Sequence, residues 1–192
     1  MRSRASGGVL MSVIGACRTL ERGIIWLGAL VAWMTLIPLI AVSVYDMIGR
    51  QFFNVGSTRL QELEWHFFLA VVMLSLGYAY LHNAHVRIDI LRDRFAPRTS
   101  ASIELLGCLL VLVPFCTVLI VYGGQFALDS FVQMEGARAA LGLPMRWIIK
   151  SCLPIGGLLL LLAGLSVAIR YAMFLAGRAT GPAPTSGALQ RG

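Results

Sequence analysis

Two short clusters of polar residues have the types and spacing that chemistry requires. The first lies in "LHNAHVRIDIL", where His82 and His85 stand three residues apart and Asp89 follows four residues later. Imidazole and carboxylate groups at such spacing can bind a metal ion or carry a proton. The question is whether this cluster is a site or only marks where the chain leaves an apolar environment.

The second cluster lies in "LQELEWHFF". Four-residue spacing puts Glu62 and His66 on one helix face and Glu64 nearly opposite. Ionisable groups at membrane depth suggest a proton or ion relay. Trp65 is typical of a membrane interface, however, which places both glutamates near the head groups.

We therefore interpret Glu62 as an anchor for the helix end, against Arg50, Arg59 or another subunit. A relay through Glu62 or Glu64 is the alternative.

Cofactor chemistry is disfavoured by the histidine count. A zinc site needs three or four ligands, and His66 is expected on the other side of the membrane from His82 and His85. A membrane haem typically needs axial histidines on two helices, and the first, third and fourth apolar segments contain none. We expect no metal and no cofactor, and "HNAHVRIDIL" is interpreted as a pairing and packing element.

Long apolar segments must position these residues. Of the 192 residues, 58% are hydrophobic and 13% are charged, far from the composition of a soluble domain. A helix of about 20 apolar residues crosses the hydrocarbon, and lipid leaves backbone groups no partner outside a helix. We predict an all-α integral membrane protein with four transmembrane helices, at about residues 24–45, 64–82, 104–126 and 148–171.

The basic residues are distributed unevenly among the connections. Of 16 Lys and Arg, 11 lie before Gly23, between the second and third spans, or from Arg170 onward. Basic residues are retained in the cytoplasm, so we expect both termini and the second connection there. The net charge of +7 then reflects topology and not a nucleic-acid surface.

Three regions are predicted along the chain. Residues 1–22 form a cytoplasmic lead-in, 23–178 a four-helix membrane domain, and 179–192 a disordered cytoplasmic tail rich in Gly, Pro and Ala. No cysteine pair has CxxC spacing, and buried thiols usually behave as small apolar groups. No catalytic motif such as GxSxG or HExxH is present, so we do not expect an enzyme.

Four motifs occur in order along the chain. "IGRQFFN" follows the first span, "LQELEWHFFLAVVMLSLGYAY" forms the second, "HVRIDIL" follows it, and "GLP" with "LPIG" marks the start of the fourth. From about Leu36 to Arg170 this pattern resembles the small membrane subunit, the DctQ-type component, of tripartite ATP-independent periplasmic (TRAP) transporters. The residues that carry the resemblance, or that we expect in structural or subunit-interface roles, are Arg50, Glu62, Glu64, Trp65, His85, Arg87, Asp89, Pro144 and Pro154.

The resemblance implies a function that needs partners. Such a subunit supports a large multi-span membrane subunit of the bacterial inner membrane and helps to dock a periplasmic solute-binding protein. The complex imports organic acids or related solutes with an ion gradient, usually sodium. Two rivals remain, a self-sufficient proton-coupled transporter using Glu62 or Glu64 and a membrane anchor of an oxidoreductase.

Overall fold

The computed structural model describes residues 2–53, 56–82, 96–135 and 145–177, with side chains at residue 12 and from residue 14 onward. Within these ranges the backbone is helical apart from short turns.

Four helices are long and apolar enough to cross a membrane. Helix α1 runs over Arg2–Phe53, α2 over Thr58–Leu81, α3 over Pro97–Val132 and α4 over Arg146–Leu175. Each helix overlaps one predicted span. This agreement confirms the all-α class with four membrane helices.

Helix α1 is much longer than its span. It contains 52 residues, about 78 Å at 1.5 Å per residue, whereas the hydrocarbon core is about 30 Å thick. The predicted lead-in is helical from residue 2 and continues into the span without a break. At the other end, "DMIGRQFF" extends the helix to Phe53.

Helix α3 contains an irregular segment. Its α-helical parts, Pro97–Gly107 and Val113–Val132, flank a π-helical turn at Cys108–Leu112. There the Val113 N–H donates to the carbonyl of Cys108, five residues back. Pro114 follows, and its ring would crowd the carbonyl four residues before it in a regular α-helix. The wider turn gives that carbonyl room.

The chain divides into two compact units. The first consists of Met1–Leu27, Gly77–Phe115 and Leu160–Gly192. Its core contains buried side chains of α4, among them Val167 and Tyr171. In the same unit the thiol of Cys108 donates to the carbonyl of Gly164 at 3.4 Å.

The second unit consists of Gly28–Leu76 and Cys116–Leu159. Its helices approach closely at glycines. A Cβ added to Gly156 would lie only 2.8 Å from the carbonyl carbon of Met73 in α2, and one added to Gly157 would lie 3.0 Å from Leu119 Cβ in α3.

Small residues allow membrane helices to pack closely, and the sequence predicts such packing, within the subunit or against a larger one, at six glycines, namely Gly107, Gly123, Gly124, Gly156, Gly157 and Gly164. The four that meet a neighbouring helix are Gly123, Gly156, Gly157 and Gly164. An added Cβ at Gly107 or Gly124 meets nothing within 4 Å in the described part of the chain. The prediction is confirmed for Gly123, Gly156, Gly157 and Gly164.

Candidate functional site

The second unit brings four charged side chains together near helix ends. Arg146 Nη2 donates to Glu62 Oε1 at 3.0 Å, joining the first turn of α4 to the start of α2. Arg146 Nη1 lies 4.0 Å from Glu135 Oε1, and Lys150 Nζ donates to the other oxygen of Glu135. Arg146 and Lys150 are four residues apart and therefore share a helix face. We name Glu62, Glu135, Arg146 and Lys150 the charge cluster.

An aromatic ring packs against the basic side of the charge cluster. Lys150 Nζ lies 3.7 Å from the centroid of the Phe126 ring, a favourable cation–π distance. Phe131 and Trp147 pack edge to face, with centroids 5.3 Å apart.

The hydrogen bond from Lys150 lowers the pKa of Glu135 below its ordinary value, because the bond favours the carboxylate form.

Arg50 belongs to a second polar group in the same unit. Its guanidinium donates to Asp46, one turn earlier in α1. With the Gln61 amide oriented so that its oxygen faces α1, that oxygen accepts from Arg50 Nη1 at 2.7 Å and Nη2 at 2.5 Å. Glu64 Oε1 accepts from Ser43 Oγ of α1 at 2.6 Å.

The two glutamates of α2 therefore face different helices. Glu62 binds a residue of α4, and Glu64 binds a residue of α1, as their two-residue spacing predicted. Sequence reasoning did not identify Arg146, which the structure shows to be a partner of Glu62. Nothing short-range in the sequence points to it, since 84 positions separate the two residues.

The remaining predicted site residues are placed as follows. Trp65 is 71% exposed and packs edge to face on Phe68, with centroids 6.4 Å apart. Pro154 lies inside α4, where its Cδ would be 3.3 Å from a Cβ added to Gly123. His85, Arg87, Asp89 and Pro144 lie outside the described residues.

Within the part of the chain that the structure describes, two histidines that the sequence singled out contact residues four positions earlier in α2. His66 Nδ1 lies 2.6 Å from the carbonyl oxygen of Glu62, and His82 Nδ1 lies 3.2 Å from that of Tyr78. The His82 ring also stacks on Tyr78, with centroids 4.2 Å apart. Among the described residues, no group of three or more His, Cys, Asp or Glu could hold a metal ion.

The first unit contains a buried ionic contact that sequence reasoning missed. Glu21 of α1 is fully buried, accepts a hydrogen bond from Ser166 Oγ at 2.6 Å and lies 3.4 Å from Arg170 Nη2. Both partners belong to α4. The signal was present, because Glu21 falls at helical spacing between Cys17 and Ile24, which are also buried.

These charged groups form ion pairs within the chain. Across the described ranges, four of the acidic side chains are paired with arginine or lysine of the same chain, namely Glu21, Asp46, Glu62 and Glu135. The pairs of Glu21 and Glu62 join two different helices, whereas the pair of Asp46 with Arg50 lies within α1.

Comparison with known families decides the assignment. The model of the family described as "Tripartite ATP-independent periplasmic transporters, DctQ component" matches residues 39–173, more than two thirds of the chain. The chain belongs to the DctQ family. A comparison with curated proteins finds no match.

Membership gives the polar groups a context. A DctQ component is part of a transporter, and the four apolar helices make this one a multi-pass membrane protein. The match covers α2, α3 and the whole charge cluster. It begins after Glu21, so the buried contact of the first unit has one partner inside the matched region and one outside.

Proposed function

We propose that this DctQ component is a scaffold that holds the large membrane subunit of a TRAP importer and contributes to the docking surface of a periplasmic solute-binding protein. The complex lies in the bacterial inner membrane and imports an organic acid or related small solute with an ion gradient. Both termini and the α2–α3 connection face the cytoplasm, and the charge cluster faces the periplasm. His85, Arg87 and Asp89 support assembly at the cytoplasmic end of α2.

The pairing of Glu62 with Arg146 is the observation that carries this proposal. A carboxylate that relays protons must change its charge during the cycle. Glu62 instead lies 3.0 Å from an arginine that stays protonated, and this arrangement favours a permanent carboxylate. A scaffold needs permanent pairs of this kind, whereas a self-sufficient proton-coupled transporter does not.

The charge cluster also supports the docking role. Glu135 follows the end of α3, and Arg146 begins α4, so the cluster lies beside the connection between two spans. Paired charges at such a place offer hydrogen-bonding groups to a soluble partner, and rim charges mainly affect the association rate.

Purification in a gentle detergent tests the scaffold role. The tagged chain is isolated from its native membrane, and the proteins that accompany it are identified by mass spectrometry. We expect a near-stoichiometric, larger multi-span protein. Uptake into proteoliposomes should require that protein and a binding protein together with this chain.

The rivals predict different results. Ion-coupled uptake by this chain reconstituted alone, abolished by Glu62→Gln or Glu64→Gln, would establish the self-sufficient transporter. Visible absorbance and a soluble oxidoreductase in the purified sample would establish the membrane anchor.

The assembly role of "HVRIDIL" has its own test. Arg87→Ala or Asp89→Ala should reduce the recovered complex while the substrate affinity of the remaining transport is unchanged. A change of affinity at normal recovery would contradict it.

A further inference from the structure

An open groove of about 670 Å³ lies between α1 and α2 in the second unit. Its polar lining includes Ser43, Asp46, Arg50 and Glu64, and its rim includes the aromatic rings of Trp65 and Phe68. We name this feature the α1–α2 groove. Apolar side chains exposed elsewhere on these helices suit lipid, but ionisable groups in the lining do not.

The α1–α2 groove has an incomplete set of hydrogen bonds. The side chain of Asp46 is only 6% exposed, and its Oδ1 has no hydrogen-bond partner within the described residues. A buried carboxylate oxygen without a donor is costly. The remaining oxygen of Asp46 accepts from Arg50, so Oδ1 of Asp46 is able to accept a further hydrogen bond from a donor that enters the groove.

The charges of the groove also do not balance. Two carboxylates, Asp46 and Glu64, face one guanidinium, Arg50. Arg50 is already held by Asp46 and by Gln61. Glu64 receives its hydrogen bond from the neutral hydroxyl of Ser43, so the groove has a formal charge of −1 and lacks one cation.

We propose that the α1–α2 groove receives one lysine or arginine side chain from a membrane helix of the larger subunit. Its charged head binds Glu64 and donates to Asp46, and its alkyl stem packs against the paired rings of Trp65 and Phe68. A long basic side chain combines these properties, because its stem lies along apolar surface while the head reaches a polar group. This inference rests on the scaffold role proposed above.

Photo-crosslinking in the assembled complex tests the position of the partner. A benzophenone amino acid replaces Trp65, which is 71% exposed at the rim of the groove. Irradiation should yield an adduct with the larger subunit, mapped within one helical turn of a lysine or arginine. Adducts with phospholipid alone, at normal recovery of the complex, would overturn the groove proposal and leave the scaffold role intact.

Charge removal tests the chemistry. Glu64→Gln and Asp46→Asn keep the side-chain shape, and each should lower the affinity for the larger subunit about tenfold, as expected when a charge-assisted hydrogen bond is lost. Asp129→Asn is the matched control, because Asp129 is an exposed carboxylate of α3 outside the groove. Equal recovery from all three variants, or equal loss, would contradict the proposal.

Exchanging the charges of Glu64 and its proposed basic partner tests whether the two side chains pair directly. Glu64→Lys should prevent assembly, and a glutamate at the crosslinked basic position of the larger subunit should restore it. If no larger subunit accompanies the unaltered chain, the scaffold role and the groove proposal both fail.

Discussion

The guanidinium of Arg146 lies 3.0 Å from the carboxylate of Glu62 and joins the first turns of α4 and α2. The side chains are 27% and 15% exposed, so water screens the contact less than it would a surface pair. The same arginine approaches Glu135, which Lys150 also binds. The charge cluster thus joins α2, α4 and the segment that follows α3.

Loss of this contact should destabilise the protein. We expect Arg146→Met to lower the free energy of unfolding by about 2 kcal/mol, because Glu62 would keep its charge in a partly buried place and lose the ion pair with Arg146. Denaturant titration in detergent micelles measures the effect. Arg98→Met, at an exposed arginine of α3, is the control and should change little. Equal loss from both variants would contradict the prediction.

Two glycine substitutions should have opposite effects. Gly156→Ala forces the added methyl group against the Met73 backbone, which cannot yield as a flexible side chain does, and should cost about 1 to 3 kcal/mol. Gly124→Ala, where the methyl group meets nothing within 4 Å, should be neutral or stabilise the helix by up to about 1 kcal/mol. Thermal melting of the two purified variants makes the comparison, and a stable Gly156→Ala would refute the close approach.

The buried contact of Glu21 should show strong coupling. Arg170→Met leaves a fully buried carboxylate without its arginine, and we expect a loss of about 3 kcal/mol. Glu21→Met combined with Arg170→Met should recover much of that loss, because no charge then remains buried. A double-mutant cycle measures the coupling, and additive single effects would show that the two groups do not interact.

The stability of the charge cluster should depend on pH with a defined sign. The pKa of Glu135 is lowered in the folded state, chiefly by the hydrogen bond from Lys150. The unfolded chain therefore binds a proton at higher pH than the folded chain does. The stabilisation that the Glu135 carboxylate contributes is complete above the ordinary glutamate pKa of about 4.3. It is lost as the pH falls through the lowered pKa of Glu135 in the folded state.

Unfolding measured from about pH 7 to about pH 3 should show this loss. Lys150→Met should reduce the dependence by removing the main cause of the shift, and Glu135→Gln should abolish the contribution of this group. A steeper acid loss in either variant than in the unaltered chain would contradict the assigned cause.

Cysteine labelling in intact cells tests the proposed orientation. The background is Cys152→Ala, since the other three cysteines are buried. Met134→Cys, at a position 77% exposed just beyond α3, should react with a membrane-impermeant maleimide. Thr99→Cys, exposed in the first turn of the same helix, should react only after the membrane is permeabilised. The reverse pattern would mean the opposite topology.

The spans and the family were predictable because each depends on many residues. A run of about 20 apolar residues has few alternatives to a membrane helix, and four motifs in order identified the DctQ pattern before any contact was known. The divergent directions of Glu62 and Glu64 followed from helix geometry alone.

Contacts between distant segments were not predictable in the same way. Arg146 was not considered for Glu62, because the anchors proposed from the sequence were arginines close to it in the chain. Glu21 fell within the predicted lead-in, residues 1–22, and its helical spacing with Cys17 and Ile24 was therefore not considered. The π-helical turn before Pro114 likewise depends on how one carbonyl avoids a ring, which periodicity does not reveal.

The close approach of Gly156 to the Met73 backbone has a thermodynamic consequence. In water, apolar contacts draw on the hydrophobic effect, which weakens on cooling. Lipid tails are as apolar as the helices, so that driving force is missing here, and the contact depends on dispersion between closely spaced atoms. This junction of α2 and α4 should therefore have almost no hydrophobic heat-capacity signature and should keep its strength in the cold.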